Sequence, residues 1–157
     1  MNTTMLKEIS RVFVENVPFT KEMQIKVVSL TKEEVTLTLP MSPLLVGNFV
    51  SNRLHGGVAA TVLDSAGGLL CMANVYYEAQ ERNLNAQLED LGKVGTIDLR
   101  IDYLNSGRGE LFTATGQILR AGNRIITVQL ALHNEKGIFI AAGTGTYAVV
   151  RTQNTPA

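Results

Sequence analysis

LHGGVAATVLDSAGGLLCMANV, residues Leu54–Val75, is the stretch on which the fold turns. From Gly56 to Val75 it is apolar on nearly every side, the composition of a helix buried all round. The run is long enough to cross a membrane, but Asp64 near its middle makes that costly, by about 3 kcal/mol for the aspartate alone. A buried helix needs walls, and the flanking sequence supplies strands. Gln24–Leu30 and Glu34–Leu39 are β-branched runs around the polar turn Thr31-Lys32-Glu33, a hairpin pattern, and Pro40 and Pro43 then enforce irregular chain. Beyond the helix, Tyr76–Lys93 is polar and reads as an excursion. The last third, residues 95–150, is strand after strand: Thr96–Leu104, Glu110–Leu119, Arg124–Leu132 and Ile138–Val150. Turn signals at 105–109, 122–123 and 134–137 divide them, and these hairpin-length links predict four sequential antiparallel neighbours. Met5, Leu6, Ile9, Val12 and Phe13 recur at helical spacing ahead of Pro18, so residues 1–18 open the chain with an amphipathic helix. The class is α+β: about six antiparallel strands packed on one long central helix, residues 56–75.

Composition narrows the function. At 157 residues and 45% hydrophobic, 1–157 is one domain's worth of protein. Fourteen basic and fourteen acidic residues cancel, so no field steers the chain to nucleic acid. The single cysteine, Cys71, allows no internal disulfide and fits a reduced, cytoplasmic setting. With two histidines, His55 and His133, no metal-ligand set or cofactor is expected. The first ten residues lack an apolar h-region, which argues against a secretory signal or transit peptide.

Two features carry chemistry. His55-Gly56-Gly57 at a loop-to-helix junction leaves first-turn N–H groups unblocked at the positive end of the helix dipole, where an oxyanion can be stabilised; taken alone, the motif reads first as an ordinary tight helix start. Asp64, inside an apolar helix, has poor propensity and a desolvation cost unless partnered. Ala60, Thr61, Gly67 and Gly68 lie one turn from it, a face that admits close approach. The aspartate is either a reacting carboxylate or a structural one, bonded to another element or capping a helix restarted after a break at Gly67-Gly68. A carboxylate with backbone donors suits a carbonyl whose leaving group needs little protonation, such as a thioester, whose thiol ionises near 8.5.

Asn48, His55-Gly56-Gly57, Asp64, Gly95-Thr96-Ile97-Asp98 and the Arg120-Ala121-Gly122-Asn123-Arg124 hairpin together resemble the hotdog-fold acyl-CoA thioesterases. The likeness is to their phenylacetate-pathway (PaaI-type) branch and is closest to a short bacterial subgroup, the YigI-like proteins. It spans about Val46–Val149. The resemblance implies a six-stranded antiparallel sheet wrapped round one long helix, and hydrolysis of acyl-CoA, with medium or long fatty chains favoured by the subgroup. It also implies a homodimer or tetramer with sites at the subunit interface. Gly56 would point its N–H at the thioester oxygen, with His55 and Asn48 fixing the loop beside it. Asp64 would come from the partner subunit as nucleophile or base, and Thr96 would hold the carboxylate or the water. Candidate substrate contacts are Gly57, Arg100, Asn123 and Arg124; arginine forks suit coenzyme A phosphates. Arg100 is expected on one strand face with Thr96, Asp98 and Asp102. Val46, Phe49, Val50, Leu54 and Leu63 offer apolar lining, Cys71 reads as inert core, and His133 as a turn residue. The competing readings are a non-catalytic acyl-CoA or acyl-carrier binding module and an aryl-CoA thioesterase.

Overall fold

The structure, a computed structural model, describes residues 9–13, 16–78 and 89–151. Residues 9–13 are helical, while Met5 and Leu6 of the expected opening helix lie outside the described residues. Val17 is extended, which breaks the helical run ahead of Pro18, and Pro18 also starts a helix: α1, Pro18–Glu22, carries it in the first turn, where its missing N–H has no intrahelical partner to lose. The early hairpin is β1, Lys26–Leu30, and β2, Glu34–Pro40; Thr31 Oγ1 accepts the Glu33 and Glu34 N–H groups and closes the turn. A 3-10 turn at Pro43–Leu45 leads into a small hairpin, β3, Val46–Asn48, and β4, Arg53–Leu54, which the periodicity does not announce.

The central helix α2 runs unbroken through Gly56–Glu78, past the expected end at Val75 and with no break at Gly67-Gly68. Four strands follow it: β5, Gly95–Tyr103; β6, Leu111–Ala121; β7, Ile125–Asn134; and β8, Phe139–Ala148. Part of the expected excursion is helical, at residues 89–91, and residues 79–88 lie outside the described set. All six long strands form one antiparallel sheet in the order β1-β2-β6-β7-β8-β5. The sequential order expected for the last four strands is therefore wrong in one place. β5 does not hairpin to β6; it lies on the far edge against β8, and β2 takes the place beside β6 along a seven-residue register.

The sheet curls its inner face onto α2. Val35, Leu37 and Leu39 of β2, Phe112 and Ala114 of β6, and Ile126, Val128, Leu130 and Leu132 of β7 are all buried, at period two, beneath Leu63, Leu69 and Leu70 of the helix. The helix is long and apolar enough to cross a membrane, but strands pack along it and it occupies the place of a core helix.

Candidate active site

The two ends of β5 hold two parts of α2. At the first, the Thr96 hydroxyl donates to Asp64 Oδ1 at 2.9 Å. At the last, the Tyr103 hydroxyl donates to the Gly56 carbonyl at 2.8 Å. Asp64 is half-buried, and its Oδ1 and its backbone carbonyl each lie 3.3 Å from the hydroxyl of Tyr147 in β8. Among the described residues no hydrogen bond reaches Oδ2.

Sequence reasoning misses Tyr147, although a signal was present. Ala141, Gly143 and Gly145 alternate on the inner face of β8, and Tyr147 is the next residue on that face. Its ring is fully buried. A Cβ on Gly67 would collide with the Tyr147 hydroxyl, and one on Gly145 would lie 2.6 Å from the ring. Gly67 is thus the space that lets the phenol reach Asp64. Gly68 is different, since a Cβ there meets the ring only at 4.0 Å. Burial, and after it the Asp64 charge, pushes the Tyr147 phenol far above its ordinary value, so it stays a proton donor.

The start of α2 is capped by a histidine. His55 Nδ1 accepts the Gly57 N–H at 2.9 Å, and the His55 carbonyl accepts from Val58 and Ala59. In the neutral ring the proton then sits on Nε2. Gly47 is required beside it, because a Cβ there would lie 2.6 Å from the His55 Cα. The Gly57 N–H, expected to face substrate, is thereby occupied. Among the described residues the Gly56 N–H donates to nothing, and it stands at the positive end of a 23-residue helix. Asn48 Oδ1 accepts the Val50 and Ser51 N–H groups at 3.1 Å each, so that oxygen shapes the β3–β4 turn, and no hydrogen bond joins Asn48 to His55 or Gly56 among the described residues.

The remaining candidates separate. A bulge between Thr96 and Asp98 flips the alternation of β5. Thr96 pairs with inward-facing Tyr147, whereas Arg100 pairs with outward-facing Thr144, so Arg100 does not share a face with Thr96. It is 76% exposed and bonds Asp102 at 3.0 Å on the side of the sheet away from Asp64. Asn123 and Arg124 are exposed at the β6–β7 turn, beside the end of β8 that carries Tyr147. Leu54 and Leu63 are core rather than lining. Val46 and the 89% exposed Phe49 border an open groove of about 510 Å³ with Met41 and Pro43. Cys71 is buried, which pushes its thiol up to about 12, and His133 stacks on Phe139 at 4.7 Å.

A carboxylate with one oxygen engaged and the other open can serve as base or nucleophile toward an acyl carbon, and an open N–H at a helix start can stabilise an oxyanion. Comparison with known proteins identifies the family. A profile of the thioesterase superfamily matches residues 51–141. The chain is 40% identical over 144 residues to the medium/long-chain acyl-CoA thioesterase YigI of Escherichia coli (strain K12), covering 92% of this chain and 93% of that protein. It superposes on the crystal structure of a Shewanella oneidensis protein related to the thioesterase superfamily with a TM-score of 0.87 and 42% identity, over 93% of this chain and 95% of that one. A putative thioesterase from Syntrophus aciditrophicus gives a TM-score of 0.83 at 28% identity, over 94% and 97% of the two chains.

Proposed function

Because the chain belongs to the thioesterase superfamily and has the hotdog thioesterase fold, we propose that it hydrolyses medium- and long-chain fatty acyl-CoA to the free acid and coenzyme A. The observation that carries the chemistry is the half-buried Asp64 carboxylate bonded to Thr96 at 2.9 Å. Simple binding of a thioester has no use for a carboxylate held with one oxygen open, and the thioesterase relatives likewise favour an enzyme over a binding module.

In the reaction, the thioester oxygen rests on the Gly56 N–H, and His55 holds that turn in shape through Gly57. Asp64 Oδ2 either takes a proton from a water that adds to the acyl carbon, or adds to that carbon itself, giving an anhydride that water then opens. In both routes the tetrahedral oxyanion is stabilised at the helix start. Its collapse breaks the C–S bond and releases the thiolate, which needs no acid because the thiol ionises near 8.5.

One chain does not supply both groups to one substrate. Gly56 and Asp64 are eight residues apart, about 12 Å along the helix, whereas reacting atoms must approach to about 3–3.5 Å. β5 offers the solution: it is an edge strand, with Ile97 57% and Tyr103 56% exposed. Antiparallel pairing of β5 with a second copy of itself, centred near Leu99 and Arg100, brings Thr96 opposite the partner's Tyr103. Asp64 then comes beside the Gly56 of the partner subunit, and a two-fold axis makes two such sites. The enzyme is on this reading a homodimer, or a tetramer of two such dimers, in the cytoplasm. The groove beside Val46 and Phe49 receives the acyl chain, and Asn123 and Arg124 are candidates for the coenzyme A phosphates.

Thiol release from acyl-CoAs of graded length, with an aryl-CoA alongside, tests this reading. The expected result is kcat/KM rising from short to medium and long chains. Binding without thiol release would make the protein a binding module, and preference for the aryl substrate would reassign its acyl specificity.

A further inference from the structure

From the convergence of two hydroxyls on a single carboxylate oxygen, we infer that Tyr147 is a positioning residue: with Thr96 it pins Asp64 Oδ1 and so makes Oδ2 the reacting oxygen. The inference rests on the proposed role of Asp64 and extends it to a residue from a different strand. Three observations carry it. Thr96 and Tyr147 lie opposite each other in the β5–β8 register and reach the same oxygen from neighbouring strands, at 2.9 and 3.3 Å. The phenol is fully buried, so its hydroxyl must find a partner inside the protein, and the acceptors within reach are both on Asp64, at 3.3 Å each. The approach is also built: Gly67 and Gly145 both lack the Cβ that would occupy the space of the ring or its hydroxyl. Each is costly to place, since glycine in a helix or strand interior is destabilising relative to alanine.

Fixing one oxygen matters because a free carboxylate rotates about its Cβ–Cγ bond and offers either oxygen in many orientations. Thr96 donates to Oδ1 at 2.9 Å and Tyr147 shares its one proton between Oδ1 and the Asp64 carbonyl at 3.3 Å each, tying the side chain to its own backbone; together they restrict that freedom before substrate arrives, which is the orientation part of catalysis. The effect belongs to the chemical step and not to substrate binding, because Tyr147 touches no surface open to the acyl chain or coenzyme A.

The test uses the full chain, lauroyl-CoA as substrate, and Tyr147→Phe, which removes only the hydroxyl. The expected result is a ten- to hundredfold loss of kcat with KM within twofold. In an Asp64→Asn background, itself nearly dead, adding Tyr147→Phe should cost nothing further. Overturning results are a kcat within twofold of the parent, a loss confined to KM, or an equal loss in both backgrounds, which would mark a general packing effect. A near-normal rate for Asp64→Asn alone would instead remove the underlying reading of Asp64. Should Tyr147→Phe fail to fold, a folded Gly67→Ala variant, which displaces the hydroxyl without removing it, must show the same kcat-only loss; normal turnover there overturns the inference.

Discussion

Asp64 and Cys71 stand on one helix, two turns apart, and their surroundings give them opposite characters. Asp64 is half-open and meets hydroxyl donors; Cys71 is enclosed by core, and burial outweighs the nearby Arg151 charge in pushing its thiol up to about 12. A thiol that ionises so late is no nucleophile at neutral pH. Native protein at pH 8 should therefore resist iodoacetamide for hours while urea-unfolded protein reacts in minutes, and Cys71→Ala should turn over within threefold of the parent. The sign of the pH effect on stability follows from the same shift. The folded thiol ionises above its ordinary value of 9.0, so the stability it contributes is complete below pH 9 and is lost progressively between pH 9 and about 12. The urea midpoint should fall from pH 8 to pH 11, and fall less in Cys71→Ala. A readily alkylated native thiol would contradict this placement. At this scale Asp64 was legible in the sequence, because a carboxylate in an apolar helix demands an explanation. Its partner Tyr147 was only hinted at, by the small residues Ala141, Gly143 and Gly145 that alternate ahead of it, because a tyrosine in a strand is ordinary until the strand is known to lie over Gly67.

Among the elements, the central helix was legible as a long run apolar on nearly every side, and the six strands as β-branched runs divided by turn residues. Strand order was not. Reading 105–109 as a hairpin turn presumes that neighbours in sequence are neighbours in the sheet, but the link between β5 and β6 carries the chain from one edge to the interior. Asp98, Arg100 and Asp102 on one face of β5, against neutral Thr, Gln and Ala on the outer faces of β7 and β8, were the available sign of an edge strand. The bulge at Ile97 left no such sign, and with it went the expected alliance of Arg100 with Thr96. The two mid-helix glycines, alike in sequence, are now distinct, and that is testable. Gly67→Ala drives a methyl into the Tyr147 hydroxyl and should destabilise the fold by about 1–3 kcal/mol, the usual cost of overpacking. Gly68→Ala meets the ring at 4.0 Å, an ordinary contact, and should stabilise it by up to about 1 kcal/mol through helix propensity. Thermal melts of the two variants check the contrast; equal shifts in the same direction would contradict it.

For the whole molecule, the proposed function has each chain present half of each of two sites. The open Gly56 N–H and the pinned Asp64 carboxylate sit near opposite ends of β5, and the account requires that a second copy bring them together. The sequence held both groups and, through their spacing on one helix, their separation, but not the edge strand beside them, and only the family resemblance suggested sharing. Mixing two inactive variants is the most direct test. Gly56→Pro removes the backbone donor at a helix position that tolerates proline, and loss of one oxyanion donor costs about a hundredfold or more. Asp64→Ala removes the carboxylate. Each, once shown to fold, should be nearly dead alone. In a mixed two-fold dimer one site carries both defects and the other carries neither. With random exchange about half the dimers are mixed, so co-expressed variants should recover about a quarter of parental activity toward lauroyl-CoA. Verified mixed dimers that remain as inactive as either parent would contradict a site shared between Gly56 and Asp64.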